Sequence, residues 1–201
     1  MDLYTSATSP YARKVRIALL ELGLEHLVRM IPVNPLEDPA ELHSHNPLGK
    51  IPALRLPDGH VICDSPVICA YFNALSERVS LIPEELDARF NALTRESGAD
   101  GMMDAAFAIV MERRRPAEQQ SALWMSRWQN AIRRSAESFN QQIATARGRF
   151  DIGDIALAAA MDYIDFRLSD LDLLSGQGNL RNWRIGLADR SSLALTHPDV
   201  R

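Results

Sequence analysis

The chain has 201 residues, a net charge of −4, 46% hydrophobic and 24% charged residues, a globular balance in which roughly 70% of the unfolded surface can be buried on folding. The acidic balance argues against nucleic-acid and anionic-membrane partners, and the longest apolar run, residues 155–161, falls far short of the ~20 residues a membrane span needs. The start, Met1-Asp2-Leu3-Tyr4, has no basic or apolar leader, and Cys63 and Cys69 make neither a disulfide framework nor a usual metal spacing, so a cytoplasmic protein with reduced thiols and no metal is expected.

Residues 2–6 read as a short strand. Ser9-Pro10 then opens a helix as N-cap plus first-turn proline, with Val15, Ala18, Leu19 and Leu22 on one face and Gly23 as its stop. Residues 26–31 read as a second strand and residues 32–49 as irregular, with one turn of helix. Residues 52–56 and 60–63 flank the turn Pro57-Asp58-Gly59 as a hairpin. Ser65-Pro66 repeats the start signal for a helix to about Ser76. The order β-α-β-loop-β-β-α is a small α/β unit, spanning residues 1–78. Past a linker at 77–85 the pattern turns helical. One helix is expected from about Glu84 to Arg114 and another from Pro116 toward Arg147. A third is capped by Asp151 with Asp154 three residues on and reaches Leu168, and short helices follow, broken at Gly176, Gly178 and Pro198. Residues 84–201 are thus expected to form an all-α domain.

Three constellations stand where chemistry is favoured. Ser6-Ala7-Thr8-Ser9 lies between the first strand and the first helix, beside unpaired N–H groups and the positive end of a helix dipole, a place that suits an anion; the plainer role of Ser9 is a cap. Asn46-Pro47-Leu48-Gly49-Lys50-Ile51-Pro52 runs through a turn into a strand. Cys63-Asp64-Ser65-Pro66 joins a strand to a helix N-terminus, fit for a carboxylate or merely capped. Elsewhere, Arg113-Arg114-Arg115-Pro116 reads as a cationic helix C-terminus, or alternatively as part of a pocket that attracts an anionic substrate. Trp124 and Trp128 read as core or helix contact rather than a stacking platform, Cys63 and Cys69 as buried, and His43 and His45 as solvated.

Together these motifs, SPYARKVRIALLELGL, NPLGKIPAL, DSPVICAYF and DIGDIALAAAMDYIDF, resemble the bacterial glutathione S-transferase family along essentially the whole chain. The combination, with residues 99–105, also resembles a subgroup of uncharacterised members. The resemblance implies a thioredoxin-like N-terminal domain (βαβ-ββα) and an all-α C-terminal domain. It implies glutathione as co-substrate, a small electrophile or peroxide as second substrate, a detoxification role and a homodimer. Ser9 matches the hydroxyl that faces the glutathione sulfur in serine-type members. Ile51 matches the residue whose backbone pairs with the cysteinyl part, Pro52 the cis-proline, and Lys50 a long polar contact. Asp64 and Ser65 match the pair that holds the γ-glutamyl end, and Tyr11, Met103 and Phe107 the electrophile pocket. Thr8 and Ser6 are rival hydroxyls, and no tyrosine precedes Ser9 in the loop, which disfavours a tyrosine-type mechanism.

Two other classes stand beside the transferase. A glutathione-dependent thiol-disulfide oxidoreductase needs a low-pKa cysteine at the helix N-terminus, where this chain has Ser9 and Ala12. A glutathione-binding or interaction module with little catalysis is the second.

Overall fold

The computed structural model describes residues 1–145 and 149–198. Four strands form one mixed sheet in the order β2-β1-β3-β4. Strand β1 (Asp2–Thr5) runs parallel to β2 (Arg29–Pro32), with Leu3 opposite Met30. It runs antiparallel to β3 (Ala53–Arg55), with Leu3 also opposite Leu54, and β3 pairs antiparallel with β4 (Val61–Ile62). The strands are shorter than the sequence pattern suggests. Residues 25–27 form a single 3-10 turn before β2, and β4 keeps two residues. The β3–β4 connection is the expected tight turn: Gly59 holds φ +88, and the His60 N–H donates to Asp58 Oδ1 at 2.9 Å.

Helix α1 (Pro10–Leu22) follows its local signals. Ser9 is its cap, Pro10 starts it, and Gly23 ends it at φ 69, with the Leu24 N–H reaching back to the Leu19 carbonyl at 3.0 Å as a left-handed glycine cap permits. Val15, Ala18, Leu19 and Leu22 are buried, and so are Arg13, Lys14 and Ile17, because α1 packs against α3 (Ser65–Leu75) and also against helices from the second half. The loop read as irregular contains a short α2 (Ala40–His45).

In the second half α4 (Leu86–Glu112), α5 (Ala122–Thr145) and α6 (Ile152–Leu168) pack together, followed by α7 (Gly178–Gly186) and α8 (Ser191–Leu195). Gly178, expected to break the tail, opens α7 instead. Arg147, the expected end of the fifth helix, lies outside the described residues, as do the last three of the tail. Helix α6 begins as its sequence predicts: the Asp151 carboxylate accepts from Gly153 N at 2.9 Å and Asp154 N at 3.3 Å, and the Asp154 carboxylate accepts from Asp151 N at 3.1 Å. Arg95 of α4 binds both carboxylates. A β-carbon on Gly153 would meet the Ala92 carbonyl oxygen and Arg95 Cβ at 2.8 Å each, so glycine here sets how closely α4 and α6 approach.

Two buried ion clusters tie α1 to the helical half. Lys14 Nζ, 0% exposed, donates to Glu96 Oε1 at 3.0 Å and to both Asp100 oxygens at 2.7–2.8 Å. Arg13 pairs with Asp162 at 2.7 Å and donates to the Leu193 carbonyl at 3.2 Å. Burial pushes the Asp100 carboxyl up to about 6 despite Lys14, whereas Arg184 and Arg13 overcome burial and hold the Asp162 carboxyl below its ordinary value. Among the described residues no helix is long and apolar enough to cross a membrane.

Of the aromatic pair expected in the core, Trp128 packs against it and Trp124 does not. Trp124 and Trp128 stack at 5.6 Å on α5, and Trp124 is 50% exposed, because α5 turns only one side toward its neighbours. The two histidines expected to be solvated have partners: His43 lies 3.1 Å from Asp38, and the His45 ring sits 5.2 Å from that of Tyr4.

Candidate functional site

The carboxyl end of β1 leads into the N-terminus of α1, and there a cleft of about 470 Å³ opens between the sheet side and the helical half. Its floor includes Ser6, Thr8, Ser9 and Tyr11. Ser9 is extended (φ −77, ψ 124), and its Oγ accepts the Ala12 N–H at 3.2 Å. The hydroxyl proton is not consumed by that bond, since a serine oxygen accepts and donates at once. Ser9 is therefore a cap that lines the cleft with its proton not used by the capping bond, at the positive end of a 13-residue helix with no acidic side chain in its first turn.

One wall comes from the loop between α2 and β3. Asn46 is buried and organises it: its amide donates to the Lys50 carbonyl at 2.8 Å, and its Oδ1 accepts the Leu48 N–H at 3.1 Å. Gly49 turns at φ +61, against the His43 ring. Lys50, Ile51 and Pro52 then line the cleft, and the Ile51–Pro52 bond is cis. The sequence places Asn46 at the head of the NPLGKIP run without assigning it a role, and the structure supplies one.

A second wall is the start of α3. Asp64, not Ser65, is the N-cap residue, and its side chain makes no capping bond; Ser65 is the first helical residue and Pro66 follows in the first turn. The Ser-Pro pair thus begins the helix one residue earlier than at α1, as a first-turn proline allows. Asp64 is exposed and Ser65 is 2% exposed, both lining the cleft. Cys63, expected to be buried, is half-buried there, and burial followed by Asp64 pushes its thiol up. Cys69 is the buried one, pushed up to about 12.

The third wall belongs to α4 and α6. Asp104, Phe107 and Met111 lie along one face of α4, Arg114 follows its end, and Tyr163 and Arg167 come from α6. Tyr11 donates to Asp104 Oδ1 at 2.5 Å; burial, then this carboxylate, raises the Tyr11 phenol. Phe107 is exposed toward the cleft, whereas Met103, one turn earlier and expected beside it, is 0% exposed in the core. Arg113 faces away and pairs with Asp170 at 2.7 Å. Tyr163 and Arg167, four residues apart on α6, were not singled out from the sequence; their i, i+4 spacing after a capping box is the available signal. Among the described residues no group of three or more His, Cys, Asp or Glu could hold a metal ion.

The cleft thus joins a helix N-terminus with a hydroxyl, a backbone edge and a second helix N-terminus on one side, and a mixed apolar and cationic wall on the other. Comparison with known proteins gives that arrangement a family. The chain is 32% identical over 202 residues to an uncharacterised GST-like protein, YibF of Escherichia coli, covering 98% of each. The chain belongs to the glutathione S-transferase family. Residues 8–75 match the glutathione S-transferase N-terminal domain family. A glutathione transferase family member from Pseudomonas fluorescens Pf-5, solved with bound glutathione, is 35% identical over 99% of both chains at a TM-score of 0.92. A glutathione S-transferase from Methylobacillus flagellatus, also solved with glutathione, is 36% identical over 98% of both, again at 0.92. The family's thioredoxin-like sheet unit followed by a helical region is the fold described above.

Proposed function

We propose that this chain is a serine-type glutathione S-transferase: it binds glutathione in the cleft, holds it as the thiolate and transfers it to a small electrophile or spends it on a peroxide. The observation that carries this reading is the Ser9 hydroxyl, which caps α1 by accepting from Ala12 and lines the same cleft as Ile51, Asp64 and Ser65, leaving its proton free to donate. Glutathione bound in the relatives from Pseudomonas fluorescens and Methylobacillus flagellatus supports the ligand.

In this reading residues 1–78 form the glutathione-binding domain and 84–201 the helical one. The Ile51 backbone pairs with the cysteinyl residue, Asp64 and Ser65 hold the γ-glutamyl ammonium and carboxylate at the α3 N-terminus, and Lys50 contacts the tripeptide. The sulfur lies over Ser9. A thiol titrating near ~8.5 needs about 2.7 kcal/mol of preference for its anion to fall two units. One hydrogen bond to a charged acceptor contributes roughly 1.5–3 kcal/mol and a helix N-terminus about 0.3–1 kcal/mol, so Ser9 and α1 suffice together. The electrophile meets Tyr11 and Phe107. No covalent enzyme intermediate is required. The oxidoreductase alternative is disfavoured because Ser9 and Ala12 stand where its cysteines would, and because the cleft thiol, Cys63, is pushed up rather than down. A homodimer, the family's habit, and a cytoplasmic location fit the reading.

Calorimetric titration with glutathione beside a rate assay with an activated aryl halide tests the proposal. Saturable binding with enzyme-dependent conjugation is expected. Binding without conjugation would make the chain a glutathione-binding module, and no binding would overturn the reading.

A further inference from the structure

The cationic end of the cleft is left unexplained by glutathione transfer alone. Its wall combines Phe107, Val110 and Met111 with two arginines, Arg114 and Arg167. Among the described residues neither arginine has a carboxylate within ion-pair distance, although their neighbours do: Arg113 binds Asp170, Arg115 binds Glu112, and Arg184 binds Asp162. Arg167 is half-buried, its guanidinium lies 4.4 Å from the Phe166 ring, and its Nε is buried and meets no acceptor among the described residues. Both arginines act on the same neighbour, the Tyr163 hydroxyl, each favouring its anion against the larger effect of burial. Two guanidinium groups thus converge on one wall without a protein counter-ion. Their positions at the C-terminal ends of α4 and α6 complement the helix dipoles, which holds the charges there but does not neutralise them. Among the described residues the carboxylate of this wall is Asp104, which Tyr11 engages.

We infer that the second substrate is a small electrophile that carries a carboxylate, held by Arg114 and Arg167 with its apolar body on Phe107 and Met111. This rests on the transferase reading above and adds the substrate class. A guanidinium matches a carboxylate in shape and pairs with it through two parallel N–H donors. In a protein of net charge −4, two unpaired arginines in a cleft also draw an anion that the rest of the surface repels. Anchoring the carboxylate at this end leaves the reacting carbon toward Ser9 and the sulfur.

The matched probes are para-(chloromethyl)benzoate and its methyl ester. The thiolate sulfur forms a bond to the benzylic carbon as the carbon–chlorine bond breaks, and chloride leaves with the bonding pair; no proton moves. With each rate divided by its uncatalysed rate, kcat/KM for the acid should exceed that for the ester by about tenfold, and Arg114→Gln or Arg167→Gln should remove most of that preference, since a charge-assisted pair is lost. Arg113→Gln, outside the cleft, should keep it, and added salt should shrink it.

Binding reads the same wall without turnover. By calorimetry the S-(para-carboxybenzyl) conjugate of glutathione should bind about tenfold more tightly than its methyl ester, with the preference lost in Arg114→Gln and Arg167→Gln. Equal affinities in the wild type, or a preference untouched by both substitutions, would overturn the inference while glutathione binding still stood. So would an equal loss of affinity for unmodified glutathione in the arginine variants, which would assign the two side chains to the tripeptide. Failure of glutathione itself to bind would instead remove the transferase reading and this inference with it.

Discussion

Tyr11 and Asp104 join α1 to α4 across the cleft through a phenol–carboxylate hydrogen bond of 2.5 Å. The bond occupies the Tyr11 phenolic proton, so Tyr11 is not a free donor to a sulfur placed over Ser9. Tyr11→Phe should therefore leave the pKa of bound glutathione unchanged. It should cost no more than about 1 kcal/mol of stability, because the pair is partly solvated. Because it frees the Asp104 carboxylate in the cleft that Arg114 and Arg167 also line, it should raise KM for an anionic electrophile more than for a neutral one. Thermal denaturation and initial rates followed across pH check all three outcomes.

Ser65 separates capping from ligand binding. It is buried at the first position of α3, and the cap residue is Asp64. Ser65→Ala should weaken glutathione binding by roughly 1–3 kcal/mol while changing folding stability by less than about 0.5 kcal/mol, since no cap bond is lost. Calorimetry and chemical denaturation of the same preparation measure the two numbers.

Lys14 tests the buried bridge between the two halves. Lys14→Met leaves Glu96 and Asp100 without their cation and should destabilise the fold by about 3–5 kcal/mol. Asp100 sits near 6, above an ordinary carboxyl, so the folded state holds this proton more tightly than the unfolded chain. The contribution of Asp100 to stability then rises as pH falls from about 6 toward 4. Asp100→Asn should remove that slope, and a carboxyl-carbon NMR titration of the native protein should place the Asp100 midpoint near 6.

Gly153 should be intolerant of any side chain. With Ala92 O and Arg95 Cβ at 2.8 Å from the position of an added β-carbon, Gly153→Ala must push α6 from α4 or disturb the Asp151 cap. A loss of about 1–3 kcal/mol is expected, in spite of the better helix propensity of alanine. Urea denaturation of the variant measures it.

What could be read from the sequence follows the range of the forces involved. Helices α1 and α6 were legible to within a residue because their signals are local: Ser9-Pro10 and Gly23, Asp151 and Asp154. Helix α3 was legible in place but not in register, since a proline is accepted at more than one first-turn position and Ser65-Pro66 does not say which. The halves of the cleft differ for the same reason. Ser9, Lys50, Ile51, Pro52, Asp64 and Ser65 lie in short motifs, and the structure brings them to one cleft. Met103 and Phe107 are one turn apart on a helix with apolar residues on several faces, so periodicity does not tell core from lining; packing against α6 decides it. Arg167 and Tyr163 enter the cleft only through the packing of α6, and Asn46 through the fold of the loop it holds.

The central claim is that Ser9 donates its proton to the sulfur of bound glutathione while it caps α1. The thiolate absorbance of glutathione bound to the wild type and to Ser9→Ala, followed in the far ultraviolet across pH, tests it most directly. Loss of one charge-assisted bond of roughly 1.5–3 kcal/mol should raise the apparent pKa of the bound thiol by about one to two units. The glutathione affinity should change much less, because in the proposed reading Ile51, Asp64 and Ser65 hold the rest of the tripeptide. Superimposable titrations would contradict the account: Ser9 would then be only a helix cap, and the sulfur would owe its activation to Thr8, Ser6 or the backbone N–H groups of α1.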